Sequence, residues 1–176
     1  MRVNNLITLK EMEGLFNQDE GLLLEYKTEN EKRRDIAECL AAMANSKGGF
    51  IVFGVEYPPK GKLPPRILGV INVKKVIDRI HGAARDCIPS LSSYVFVQPI
   101  SWKKKTIVVT KIHNDIPNIA NVKGCFLKRR GSCNMVMNFE DFLHYAVDHK
   151  ILNFENMLVY HATFADIDIR KVEEYI

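Results

Sequence analysis

Three cationic runs and three glutamates are the residues of this chain whose types and spacing could do chemistry. Lys32-Arg33-Arg34, Lys103-Lys104-Lys105 and Lys128-Arg129-Arg130 each hold several positive charges close enough to meet neighbouring phosphates. Neutralising a polyanion in this way releases condensed counterions and gives affinity that does not depend on sequence. A single lysine run is usually a solvated face, but here three such runs must be placed on one small surface. Glu20 and Glu25 stand five residues apart and Glu56 ends the next predicted strand, so the three could meet around a hard divalent cation. Against that, Glu25 and Lys27 share one face of a strand and could simply pair with each other there.

Other groups promise less. Asn45-Ser46-Lys47-Gly48-Gly49 offers glycine amides to a phosphate, but the glycines follow a helix rather than precede one. The positive end of that helix dipole therefore lies elsewhere, and a structural turn is the better reading. Lys60-Gly61-Lys62 lacks the spacing and hydroxyl of a phosphate-binding nucleotide loop, so no cofactor is expected. His81, His113, His144, His149 and His161 are scattered without metal-ligand spacing, and no metal site is assigned to them. The four cysteines include no C-x-x-C pair. Cys39 and Cys87 fall on apolar helix faces and read as buried, reduced thiols, while Cys125 and Cys133 flank the last basic run, where redox or metal chemistry stays open.

The elements that must position these groups are clearest between Leu22 and Glu56. Leu22, Leu24 and Tyr26 alternate with Leu23, Glu25 and Lys27, the period-two pattern of a strand with one buried face. Thr28 stands three residues before Glu31, a capping-box spacing, and Ile36, Leu40 and Met43 then recur at helical intervals up to Gly48, predicting a helix of about four turns. Phe50 to Val55 is a nearly continuous apolar run, expected of a strand covered on both faces in mid-sheet. Beyond it, Pro58-Pro59, Gly61 and Pro64-Pro65 mark a loop. Asn72 opens a second helix, which carries Val76, Ile80 and Ala84 and stops at Pro89. Residues 92–102 and 106–113 form a hairpin with a lysine tip, residues 126–130 add a strand, and Asn138 caps a helix through Ala146. The fold class that results is α+β, a mixed β-sheet with packed helices.

Charge is unevenly placed. The chain of 176 residues carries a formal net charge of +4 and is 47% apolar, ordinary values for a globular protein able to bury a full core. Residues 101–132 nevertheless contain eight basic residues against Asp115 alone, whereas residues 133–176 contain three basic and eight acidic ones. Such asymmetry suits one surface facing a polyanion. No window approaches a membrane-spanning length, and the N-terminus lacks a secretion-signal pattern, so a cytoplasmic protein without membrane contact is expected.

The ordered residues Glu20, Glu25-Tyr26-Lys27, Ala42-x-Ala44-Asn45-Ser46-x-Gly48-Gly49 and Gly54-Val55-Glu56 resemble the Schlafen/Alba-type DNA-binding domain family, also called divergent AAA. Arg66-Ile-Leu-Gly69-Val70, Asp115-Ile-Pro117 and Cys125-Phe-Leu-Lys-Arg-Arg-Gly-Ser132 continue the likeness in order, across roughly residues 20–150. The resemblance implies a nucleic-acid-binding module, DNA foremost and regulatory in role, to which Lys27 and Ser132 contribute beside the three basic runs. It also implies an alternative, a metal-dependent endoribonuclease built on Glu20, Glu25 and Glu56. In the nuclease pattern the third carboxylate follows one residue after Glu56, where this chain has Tyr57. A phenol is a poor substitute for a carboxylate ligand, which ranks the non-enzymatic module first. A protein-interaction domain is a further alternative, and a homo-oligomer is compatible with all three. Domain organisation is read as residues 1–150 forming this module and residues 151–176 an acidic extension that looks like the beginning of a further domain.

Overall fold

The structure is a computed structural model and describes residues 8–57 and 65–149. Its elements follow in chain order: α1 (Leu9–Leu15), β1 (Leu24–Lys27), α2 (Arg33–Ala44), β2 (Gly49–Phe53), β3 (Val55–Glu56), β4 (Arg66–Ile67) and α3 (Val73–Asp86). They continue with β5 (Cys87–Ile88), β6 (Val95–Trp102), β7 (Lys105–Ile112), β8 (Asn121–Val122), β9 (Cys125–Arg130), β10 (Cys133–Val136) and α4 (Phe139–Asp148). The proline-rich loop and the acidic extension expected after residue 150 lie outside the described residues. The chain divides into two units between Phe139 and Glu140, so most of α4 belongs to the second. Glu140 and Asp141 in its first turn favour the positive end of its dipole.

A four-stranded mixed sheet in the order β1-β2-β7-β6 organises the first unit. β1 runs parallel to β2, with Leu24 beside Phe50 and Tyr26 beside Val52. β2 runs antiparallel to β7, which pairs with β6 along its whole length. β2 is therefore central, as its continuous apolar run predicts. Its alternate residues feed two cores. Ile51 and Phe53 join Ile36, Leu40, Met43 and the α3 residues Val76 and Ile80 on one side. Val52 joins Leu24, Tyr26, Ile107 and the α1 residues Met12 and Phe16 on the other. Met43 is fully buried, which places the apolar stripe of α2 on the sheet as its spacing requires. Gly49 is needed at the start of β2, because a Cβ there would come within 2.4 Å of the Leu23 carbonyl oxygen.

A second sheet, β10-β9-β8-β5, lies against the other side of α2. Asn45, the last cap of α2, binds it there: its amide donates to the carbonyls of Ala120 (2.7 Å) and Leu127 (2.8 Å), and its oxygen accepts from the Ala120 N–H (2.7 Å). The loop Asn45–Gly49 thus acts as the structural turn, with Gly48 in the left-handed region at φ +67°.

One local expectation changes. α2 begins at Arg33 with Lys32 as an N-cap lacking any side-chain bond, rather than at Thr28. Glu31 is drawn instead to Lys27 (3.4 Å), and Arg79 takes the carbonyls of Glu29 and Glu31, which holds this segment out of the helix. A genuine capping box occurs earlier, at Thr8 and Glu11, and starts α1. At the β6–β7 turn, Lys103 and Lys104 both take positive φ, 45° and 66°. Two-residue hairpin turns of this kind favour Asn and Gly, and an ordinary residue there costs about 1–2 kcal/mol.

Candidate nucleic-acid interface

β9 sets the arrangement of the basic residues. Strand alternation turns Leu127 and Arg129 inward toward α2 and leaves Lys128 and Arg130 on the opposite face. The Arg129 side chain is 1% exposed. Its guanidinium donates to the Glu25 carboxylate, to the Gly21 carbonyl at 3.0 Å and to Asn134 Oδ1 at 2.8 Å, while its backbone N–H donates to Ser46 Oγ at 2.9 Å. Arg129 therefore departs from its expected role as a phosphate-gripping residue. A phosphate could reach it only by displacing three partners from a closed site.

Lys27 is drawn into the same network. Its ammonium lies 3.2 Å from Glu25 and 3.4 Å from Glu31, with its side chain 13% exposed. Burial is the largest influence and works against the Lys27 charge, but Glu25, Cys39 and Glu31 together outweigh it, so its pKa lies above the usual lysine value. Cys39 sits close by in the core; burial first and the Glu25 charge second push its thiol up to about 12. That is the inert, reduced thiol expected of it. Cys125 and Cys133 are exposed and free.

The three glutamates do not converge as a metal-ligand set. Glu20 accepts the Tyr26 N–H at 2.9 Å, and the neighbouring Gly21 N–H donates to the Leu24 carbonyl at 2.9 Å. Both contacts close the edge of β1 that has no partner strand. Glu25 is held between two cations, and Glu56 is exposed, 3.5 Å from Arg66. Tyr57 donates to Asp19 Oδ1 at 2.5 Å, a bond that raises its phenol pKa. Among the described residues no three acidic, histidine or cysteine side chains are grouped to hold a metal ion. With Glu20 on a backbone N–H, Glu25 between two cations and Glu56 beside Arg66, the donors present do not fit a divalent cation.

Burial raises the Glu20 pKa above its ordinary 4.5, with a further push from Glu25, while the Tyr26 N–H works the other way. The folded state thus holds this proton more tightly than the unfolded chain, and stability from this group falls as pH rises past about 4.5. Glu20→Gln keeps the acceptor and removes the charge. Urea midpoints at pH 4 and pH 7 should differ less, in the sense of a loss toward pH 7, for Glu20→Gln than for the parent protein; identical profiles would refute the assignment.

The remaining basic residues divide into tied and outward ones. Arg33 pairs with Asp86 (2.5 Å) and with the Gly82 carbonyl, Arg34 with Glu38 (2.7 Å), and Lys105 donates to the Ile67 carbonyl (2.8 Å). Lys32, Lys103, Lys104, Arg130 and Ser132 are exposed. Lys103 Nζ lies 5.9 Å from the centre of the Trp102 ring. Lys128 stands across from Met135, and Arg130 across from Cys133, on the β9–β10 ribbon. The β6–β7 tip belongs to the first sheet and β9 to the second. Sequence reading missed Lys111, whose ammonium lies 5.9 Å from the Phe50 ring centre on the adjacent strand, although the alternation of β2 and β7 could have paired them.

Comparison with known proteins follows this geometry. The family model described as "Schlafen, AlbA_2" matches residues 20–138. No curated protein matches the chain. A crystal structure of the DIP2311 protein from Corynebacterium diphtheriae is similar in fold, with a TM-score of 0.55 and 13% identity over 78% of this chain. The chain spans 28% of that protein's chain.

Proposed function

Because the chain belongs to the Schlafen, AlbA_2 family, whose domain is a nucleic-acid-related one, we propose that it binds nucleic acid, DNA foremost, as a regulatory module. The observation that carries this reading is the division of charge along β9. Arg129 is consumed by the fold, whereas Arg130 is exposed and has no acidic partner among the described residues. Such a cation, together with Ser132 at the adjoining turn, Lys32 ahead of α2 and Lys103 and Lys104 at the β6–β7 tip, suits backbone phosphates and offers little that reads bases. Lys27, Arg33, Arg34 and Lys105 are held by other protein groups and contribute to the potential rather than to direct grip. No helix among the described residues is long and apolar enough to cross a membrane.

Duplex binding should weaken steeply with salt, by a logarithmic slope of about 0.9 for each phosphate neutralised. Arg130→Glu should lower that slope by about 1 and weaken binding alike on unrelated sequences. Fluorescence anisotropy with two unrelated duplexes at several salt concentrations measures both. Binding indifferent to salt and to the reversal would remove the reading.

A further inference from the structure

Beside the β6–β7 tip lies an open groove of about 830 Å³, lined by Glu13, Phe16 and Asn17 from α1 and its end, and by Ile67, Trp102 and Lys103. We propose that this groove receives a base of an unpaired nucleic-acid strand, stacked on the Trp102–Phe16 pair with its phosphate directed to Lys103 and Lys104. The proposal rests on the nucleic-acid-binding reading and names a site and a strand form within it.

Four independent features lead to it. The volume falls in the range of small-ligand sites and admits a nucleotide. Phe16 and Trp102 rings lie 5.4 Å apart at 32°, giving a broad aromatic wall of the kind on which bases stack without regard to sequence. Lys103 lines the groove, and it and Lys104 beside it at the turn stand in backbone conformations that disfavour them, so turn geometry alone does not account for their choice. Finally, the wall carries acceptors. The Asn17 amide nitrogen is committed to the Glu13 carbonyl at 3.1 Å, which leaves the Asn17 oxygen and the Glu13 carboxylate to meet base N–H groups. A lipid chain would leave the acceptors and lysines unmatched, and an acidic peptide would lack the flat surface that the aromatic wall fits.

The test uses the full chain and exploits the fact that Trp102 is its single tryptophan. Titration with a short single-stranded oligodeoxyadenylate should quench the indole emission saturably. Lys103→Ala with Lys104→Ala, at exposed positions that leave the indole in place, should raise the half-quenching concentration roughly tenfold. Trp102→Leu should weaken binding of the labelled strand by anisotropy to a similar degree, with Trp102→Phe restoring most of it; circular dichroism melts verify that each variant is folded. Duplex binding that responds to Arg130→Glu while the strand leaves the emission unchanged would overturn the groove and keep the general reading. Absence of binding to either form would overturn both.

Discussion

Arg129→Ala should unfold at far lower urea than the parent protein, a loss of about 3–5 kcal/mol, because it leaves a carboxylate in a closed site without its cation. The affected group is Glu25, whose side chain is 14% exposed and keeps, among the described residues, only Lys27 as an ionic partner. Asn134 and the Gly21 carbonyl lose their bonds at the same time. Glu25→Gln in the same background should recover part of the loss by removing the stranded charge. Arg130→Ala, one residue away on the opposite face, should alter stability by about 0.5 kcal/mol or less while altering nucleic-acid binding. Equilibrium urea melts of the parent and the three variants decide the matter. An Arg129→Ala protein as stable as its parent but deficient in binding would return Arg129 to the interface.

Asn45→Ala should cost about 3 kcal/mol or more, since each buried partner left unsatisfied costs about 1–3 kcal/mol. Three are orphaned at once: the Ala120 N–H and the carbonyls of Ala120 and Leu127. Asn45→Asp should be no milder despite its near-identical shape, because a carboxylate places oxygen against two carbonyls that require donors. This residue sits in the glycine-rich run that could have been a phosphate loop, and the two readings diverge here. A phosphate-binding Asn45 would affect affinity and spare the melting temperature. The structural Asn45 should lower the melting temperature, and any loss of binding should follow from unfolding.

Much of the fold can be read directly from the residues, for identifiable reasons. β1, α2, β2, α3 and the β6–β7 hairpin are long or strongly periodic, so each repeats its burial pattern often enough to be recognised. β3, β4, β5 and β8 have two residues each, too few for any period to emerge. β10 is exposed at every position and shows no alternation, and α1 is a seven-residue helix whose capping box at Thr8 and Glu11 was its main signature. The same T-x-x-E spacing at Thr28 and Glu31 misled, because Lys27 and Arg79 claim that segment.

The candidate site divides along the same line. Sequence alone determined its chemistry: three basic runs, one of them at a hairpin tip, carboxylates in β1 and ahead of it, and an order of motifs that the family match over residues 20–138 bears out. Only the tertiary structure decided which charges are available. Lys128, Arg129 and Arg130 are indistinguishable as a run of letters, and alternation states only that the middle one faces away from its neighbours. Which face is buried depends on α2 and on Glu25, 104 residues earlier in the chain, and no local pattern carries a partner at that separation. An ion pair drawn from strands this far apart forms only when both sheets close on α2, so the fold itself separates the arginine that holds the domain together from the one left exposed.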